Sequence, residues 1–208
     1  MAHKFLGVVT SPATLRAQEH YYGRARPVPP QAGNDPLGPR EAEFIAARDS
    51  FYVASVGESG WPYLQHRGGP AGFLRVLGPS TLAFADYAGN HQMITTGNLA
   101  SDDRVALLLI DYPNRRRLKI LGHARVEDAR DHFRVVERVV SPEARPDVER
   151  IVIIEVVAFD WNCPQHITPR FTVAQVASIV EPLQRQIASL QAQLASVATS
   201  KQQEGAPS

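Results

Sequence analysis

GNHQMITTGNLASDDRVALLLIDYPNRRRLKILGHARV, residues Gly89 to Val126, decides how the rest of this chain is read. Its first half opens with polar residues suited to a helix start. The run Arg104–Ile110 then gives an apolar strand, Asp111–Asn114 a turn, and Arg116–Val126 a second strand dense in cations at its beginning. Guanidinium groups planted beside an apolar strand are costly to hold there unless an anion meets them. A ligand site is therefore sought first around this unit.

Outward from it, the same β grammar recurs. Ser50–Val56 and Trp61–His66 flank Gly57-Glu58-Ser59-Gly60 and predict a hairpin. Phe73–Leu77, Thr81–Ala85 and Ile151–Asp160 add further strands, with helical breaks near Asn90–Leu99 and Ala129–Val140. Short strands with turn signals and no regular βαβ alternation favour a mainly β, α+β architecture with an antiparallel barrel over a doubly wound sheet. Upstream, Ser11-Pro12 starts a helix to about Tyr22, with Ser11 as N-cap. Five prolines between Arg24 and Pro39 mark an irregular segment, and Arg40–Arg48 fits a short helix. Downstream, Thr172 and Gln175 fit a capping box. Val173, Val176, Val180, Leu183, Ile187, Leu190, Leu194 and Val197 then alternate spacings of three and four, a heptad seam that Pro182 interrupts without shifting its phase. The seam fits either packing on the chain's own barrel or pairing across a dimer. The expected organisation is an N-terminal helix and Pro/Gly-rich segment (1–39), a β domain (40–171), the heptad helix (172–198) and a disordered tail (199–208).

Composition narrows the function classes. The chain has 208 residues, 44% hydrophobic and 21% charged, with 22 Lys+Arg against 21 Asp+Glu for a net charge of +1. A whole-surface nucleic-acid binder carries more excess positive charge, so any basic feature here is local. The one cysteine, Cys163, excludes an intramolecular disulfide framework and fits a reducing cytoplasm. The first nine residues, MAHKFLGVV, are too short for a signal peptide, and no apolar run approaches the roughly 20 residues of a membrane span. The expectation is a cytoplasmic protein that binds neither membrane nor nucleic acid.

Four clusters carry candidate chemistry. If Arg115, Arg117 and Lys119 lie on a strand they share one face, with Arg116, Leu118 and Ile120 on the other. Arginine pairs with phosphate oxygens through charge-assisted hydrogen bonds, although a solvated strand face with surface ion pairs explains an isolated RRR as well. Asn90-His91-Gln92, after Gly89, would offer helix N-terminal N–H groups to an anion, or would simply cap the helix through Asn90. Gln65-His66-Arg67-Gly68-Gly69 ends a strand in a glycine pair that lets a flat ligand approach the backbone. Asp160-Trp161-Asn162-Cys163-Pro164-Gln165-His166 leaves the last strand. Cys163 and His166 have metal-ligand spacing but lack a partner pair, so no metal site is expected. The indole of Trp161 and the amide of Asn162 make a more natural wall for a planar heteroaromatic ligand.

Taken in order, these pieces resemble the pyridoxamine 5'-phosphate oxidase-like family of flavin-binding split barrels. The resemblance covers roughly Glu41 to Arg170, with Phe84, Gly89, Asn90, Asn98, Arg116, Arg117 and Gly122 where the family pattern wants them. It implies a six-stranded antiparallel split β-barrel plus the long C-terminal helix, and a homodimer holding FMN at the subunit interface. FAD, a deazaflavin or haem are the alternatives on related barrels. The cofactor-binding set it implies is Gln65, His66, Arg67, Gly68, Asp86, Asn90, His91, Gln92, Arg116, Arg117, Lys119, Trp161 and Asn162. Of these, Arg67 and the Asn90–Gln92 turn would lie near the phosphate, and Arg117 near phosphate or ring. The chain departs from the pattern at His91-Gln92, where the family usually has an Arg-Lys pair. NCPQHITPR replaces the arginine-leucine substrate segment of the true oxidases, so oxidation of pyridoxamine phosphate itself is not expected. The expected activity is that of an FMN-dependent oxidoreductase acting on another small molecule, with His166 as proton donor and Cys163 as a second catalytic candidate. The rival expectations are a non-catalytic flavin or haem carrier or sensor, and a nucleic-acid or protein adaptor.

Overall fold

The computed structural model describes residues 3–28, 32–141, 147–161 and 165–204. They form two compact units, one ending at Ile167 and one beginning at Thr168. Among the described residues no helix is long and apolar enough to cross a membrane.

The first unit opens with helices α1 (His3–Val9), α2 (Pro12–Tyr22) and α3 (Pro39–Ala46). Strands β1 (Ser50–Val56), β2 (Pro62–Gly68), β3 (Arg75–Gly78) and β4 (Thr81–Tyr87) follow, then α4 (Ile94–Ser101). Next come β5 (Arg104–Asp111), β6 (Arg116–Asp128), α5 (Phe133–Val139) and β7 (Val148–Trp161). Ser11 caps α2 as its sequence requires, its Oγ accepting from Thr14 N at 3.2 Å. Helix α1 has no counterpart among the expected elements, because seven residues carry too little periodicity to read.

The seven strands form one antiparallel sheet in the order β2-β1-β5-β6-β7-β4-β3. This corrects the six strands implied by the resemblance and matches the seven segments read along the chain. Phe73–Leu77 is realised as β3, a four-residue edge piece whose pairing with β4 is broken by a register shift after Val76. The ends of the order, β2 and β3, share no ladder among the described residues, so the hydrogen-bond pattern is that of an open, strongly curved sheet. Side chains nevertheless cross from one half to the other: Phe51 of β1 meets Phe84 of β4 edge-on at 5.3 Å, and Arg67 of β2 bonds Asp86 of β4.

Alternation explains which face each strand buries. Phe51, Val53, Leu107, Leu109, Leu118 and Ile120 turn one way, onto Phe44 and Ile45 of α3 and Leu99 of α4. Ile151 to Ile154 of β7 are buried without alternation because β7 has apolar cover on both sides. Val152 and Ile154 join the main core, while Ile151 and Ile153 meet Val136 and Val139 of α5. Each such side chain, once buried, contributes roughly 1.5–3 kcal/mol.

The β6–β7 ladder shifts register between Leu121 and Gly122. A Cβ on Gly122 would stand 2.6 Å from the Glu155 carbonyl oxygen, so only glycine permits this close approach. In the β1–β2 hairpin, Gly60 takes φ +78° and donates to Gly57 O at 2.8 Å.

The second unit is α6 (Val173–Glu204). Its start has the expected capping box: Gln175 N donates to Thr172 Oγ1 at 3.2 Å, and Thr172 N to Gln175 Oε1 at 2.9 Å. The helix continues through Pro182 and runs six residues beyond Ala198 to Glu204, into the segment expected as a tail.

Candidate functional site

Period-two alternation along β2 turns Tyr63, Gln65 and Arg67 to one side. They form one wall of a cleft of about 270 Å³. The opposite wall comprises Asp86 and Tyr87 at the end of β4, the Gly89–Met93 loop, and Ile94, Thr95 and Thr96 opening α4. Arg150, near the start of β7, completes it.

The charged floor of the cleft is built by sheet register. Asp86 and Arg150 are direct partners in the β4–β7 ladder, and Arg150 Nε donates to Asp86 Oδ2 at 3.0 Å. Arg67 Nη1 reaches the other oxygen, Asp86 Oδ1, at 2.7 Å. Asp86 is only 8% exposed, so two guanidiniums share one nearly buried carboxylate. Burial works against the charge on Arg150, but its hydrogen bonds to Asp86 and Glu149 outweigh that and raise its pKa. The Arg67 guanidinium carbon also lies 5.7 Å from the centre of the Phe84 ring. Its Nε is buried and has no hydrogen-bond partner among the described residues. A buried unpartnered donor costs about 1–3 kcal/mol.

The remaining lining is polar and held in place. Thr95, itself buried, donates from its hydroxyl to Gln65 Oε1 at 2.8 Å, leaving the Gln65 amide nitrogen as a donor. One turn along α4, Asn98 Nδ2 donates to Ser55 Oγ at 2.9 Å and ties the helix to β1. His91 and Met93 take left-handed φ values of 59° and 53°. The Asn90 side chain accepts from Gln92 N at 3.2 Å, forming a turn within the loop. This corrects the expected helix start: α4 begins at Ile94 with Met93 as N-cap, so Asn90, His91 and Gln92 line the cleft as loop residues.

The expected site residues thus divide. Gln65, Arg67, Asp86, Asn90, His91 and Gln92 come together in the cleft. Gly68 ends β2, one residue beyond Arg67. His66 lies on the other face of β2, its ring edge-on to Tyr52 at 5.5 Å. Register continues that outer row through Leu108 to Lys119 and Asp160, and Lys119 Nζ bonds Asp160 Oδ2 at 2.9 Å.

Trp161 sits eleven residues along β7 from Arg150, about 35 Å of strand path. Its Nε1 donates to Glu41 Oε1 at 2.7 Å, and its ring meets Phe44 edge-on at 4.8 Å. Arg40 and Arg116 stand over that ring at 4.3 and 5.0 Å. Arg117 faces Ile110 across the ladder and alternates with Leu118. The expected face of Arg115, Arg117 and Lys119 is also corrected: Arg115 has φ 52° in the turn before β6, where its N–H bonds Tyr112 O. His166 is exposed with φ 64° and does not line the cleft. Asn162 and Cys163 lie outside the described residues.

Sequence reading missed Arg150, Tyr63, Tyr87 and Thr95. Tyr63 was accessible from its period-two relation to Gln65 and Arg67. No local signal marks Arg150, whose place depends on its pairing with Asp86 across the β4–β7 ladder.

A family model described as pyridoxamine 5'-phosphate oxidase matches residues 37–162. Comparison with curated proteins gives no match. Among solved structures, the chain is similar to a putative pyridoxamine 5'-phosphate oxidase from Lactobacillus delbrueckii, at 19% identity and a TM-score of 0.48, covering 62% of this chain and 96% of that one. A conserved hypothetical protein from Mycobacterium tuberculosis is similar at 21% identity and 0.45, covering 70% and 97%. An FMN-binding protein from Syntrophomonas wolfei is similar at 10% identity and 0.41, covering 58% and 81%.

Proposed function

The chain belongs to the pyridoxamine 5'-phosphate oxidase family, and from that premise we propose that it is an FMN-dependent oxidoreductase acting on a small molecule, with the cofactor held between two copies of the chain. The observation that carries this reading is the cleft floor. Arg67 and Arg150 converge on one carboxylate, and Arg67 keeps a buried Nε without a hydrogen-bond partner among the described residues. Two guanidiniums with spare donor capacity beside an N–H-rich loop suit a phosphate monoester. Asp86 holds the pair together, leaving the site with one net positive charge from these three groups.

The flavin would bring the hydride or electron transfer, leaving binding, orientation and electrostatics to the protein. Arg67, Arg150 and the Asn90–Gln92 turn would hold the phosphate. Gln65, its amide fixed by Thr95, offers a donor to the ring. Tyr63 and Tyr87 supply flat apolar surface beside it. Micromolar retention needs about 8 kcal/mol, within reach of two or three charge-assisted contacts of about 1.5–3 kcal/mol each plus ring burial.

The dimer enters through size. At about 270 Å³ the cleft is close to the lower end of the roughly 300–1,000 Å³ of ordinary cofactor pockets, and in this reading a second copy enlarges it. In this reading Arg117 of a second copy completes it, together with Arg116, Lys119 and the Trp161–Asn162 segment. His166 is absent from its own cleft, so its role as proton donor would be exercised toward the second copy's substrate.

The test is the visible spectrum of freshly purified protein, with mass analysis of what heat releases. FMN with its two-band absorption is expected; a colourless protein or a haem Soret band would overturn the cofactor assignment, and FAD or a deazaflavin would correct it. Steady-state turnover of reduced nicotinamide with a dye separates an enzyme from a carrier.

A further inference from the structure

Helix α6 exposes a continuous apolar seam. Val173 is 87% exposed, Ile187 54%, Leu190 51% and Leu194 70%. Exposed apolar residues in such a row mark a surface that is covered in use. Their spacing says by what. The strict alternation of three and four from Val173 to Leu194 is a 3.5-residue repeat, the geometry of a helix that supercoils with another helix.

We propose that α6 pairs in parallel with the α6 of a second copy of this chain, as a two-stranded coiled coil. Three features select that occupant. Assigning Val173 to position a places Val180, Ile187 and Leu194 at a, and Val176, Leu183 and Leu190 at d. In the two central heptads β-branched Val180 and Ile187 at a meet Leu183 and Leu190 at d, the combination that favours parallel dimers. The flanking positions carry no charge: Ala177, Gln184 and Gln191 at e, and Ile179, Gln186 and Gln193 at g. A different partner chain would be selected there by complementary charges, whereas an uncharged flank neither selects one nor repels an identical helix. The charges that α6 does carry in this stretch, Glu181 and Arg185, pair with each other along the same helix at 3.9 Å, at outward positions b and f. Pro182 falls at position c, off the seam, so its ring does not obstruct the partner.

This inference does not depend on the flavin reading. It is tested by disulfide trapping in the full-length protein, in a Cys163→Ser background with diamide as two-electron oxidant. Leu194→Cys, at position a, brings two thiols face to face across a parallel pair. Ala192→Cys, at position f, points them apart, beyond the roughly 7 Å limit on Cα separation. The expected result is a disulfide-linked dimer forming at least about ten-fold faster for Leu194→Cys, because local thiol concentration then replaces diffusion. The advantage should disappear when Leu183→Glu and Leu190→Glu are added. Equal rates overturn the proposal. So does antiparallel pairing, which would set residue 194 opposite about residue 176, roughly 27 Å away along the helix. A fast cross-link that survives the two glutamates also overturns it, since the seam would not be its cause. Packing of α6 on its own β unit or on an unrelated protein gives no fast cross-link. Flavin content is read separately, so failure here is distinguishable from failure of the cofactor reading.

Discussion

Two arginine pairs, at opposite ends of β7, meet their surroundings differently. Near its start, Arg67 and Arg150 converge on the single carboxylate of Asp86, and Arg67 retains an unsatisfied buried Nε. At its end, Arg40 and Arg116 lie over the Trp161 ring, and the nearby carboxylate of Glu41 accepts from the indole N–H and from Gly38 N. Cations over aromatic faces are held by the ring quadrupole and cover apolar surface. The second cluster therefore closes the core where α3 meets β7. The first keeps donor capacity beside an open cleft. The same residue type covers an aromatic ring in one place and shares a carboxylate beside a cleft in the other, and the difference lies in which group receives it.

Breaking the shared carboxylate should have the largest effect. Asp86→Ala leaves two guanidiniums facing each other in a mostly buried site, and about 3 kcal/mol of stability should be lost in urea denaturation. Inorganic phosphate should restore part of it by mass action. A loss under 1 kcal/mol would mean that the two arginines do not depend on Asp86.

Next in size is cofactor retention. Arg67→Ala and Arg117→Ala should each weaken FMN binding by about 10- to 100-fold, the equivalent of one charge-assisted contact. If the two arginines serve the same site from different copies, mixing the two variants after subunit exchange should restore native affinity to about a quarter of the sites. Fluorescence titration showing no recovery would put both arginines in the same copy's site, or Arg117 in none.

The smallest effect is expected at the other end. Trp161→Phe keeps a ring under the arginines but removes the donor to Glu41, costing about 1.5 kcal/mol of stability. Flavin affinity should move less than in Arg67→Ala. A fall of equal size would show that Trp161 reaches the cofactor as well as closing its own core.

Much of the fold was legible because strand burial is a local property. Ser50–Val56 is both the expected and the observed β1, since alternation and the Gly57–Gly60 turn define it within a few residues. The heptad seam and the Thr172–Gln175 cap were equally readable. Local rules failed where backbone conformation switches within one residue. Arg115 reads as strand but adopts φ 52° in the turn, and Asn90 reads as a helix cap but closes a turn three residues before one. Of the site, the β2 residues and the Asn90–Gln92 loop could be named from type and spacing. Arg150 could not, because its place opposite Asp86 depends on pairing two strands separated by more than sixty residues.

The sequence by itself determined where most of the strands and longer helices run, that basic residues cluster locally in a chain of net charge +1, and that α6 carries a seam of period 3.5. Those properties follow from side-chain chemistry and periods of 2, 3.5 and 3.6 residues, which neighbours along the chain impose. Only the tertiary structure decided which arginines share a carboxylate, which lie over a ring, and which face of β2 opens on the cleft. Each of those outcomes depends on register between distant strands and on the curvature that brings β2 to β4, set by the packing of the whole core and not by any one segment.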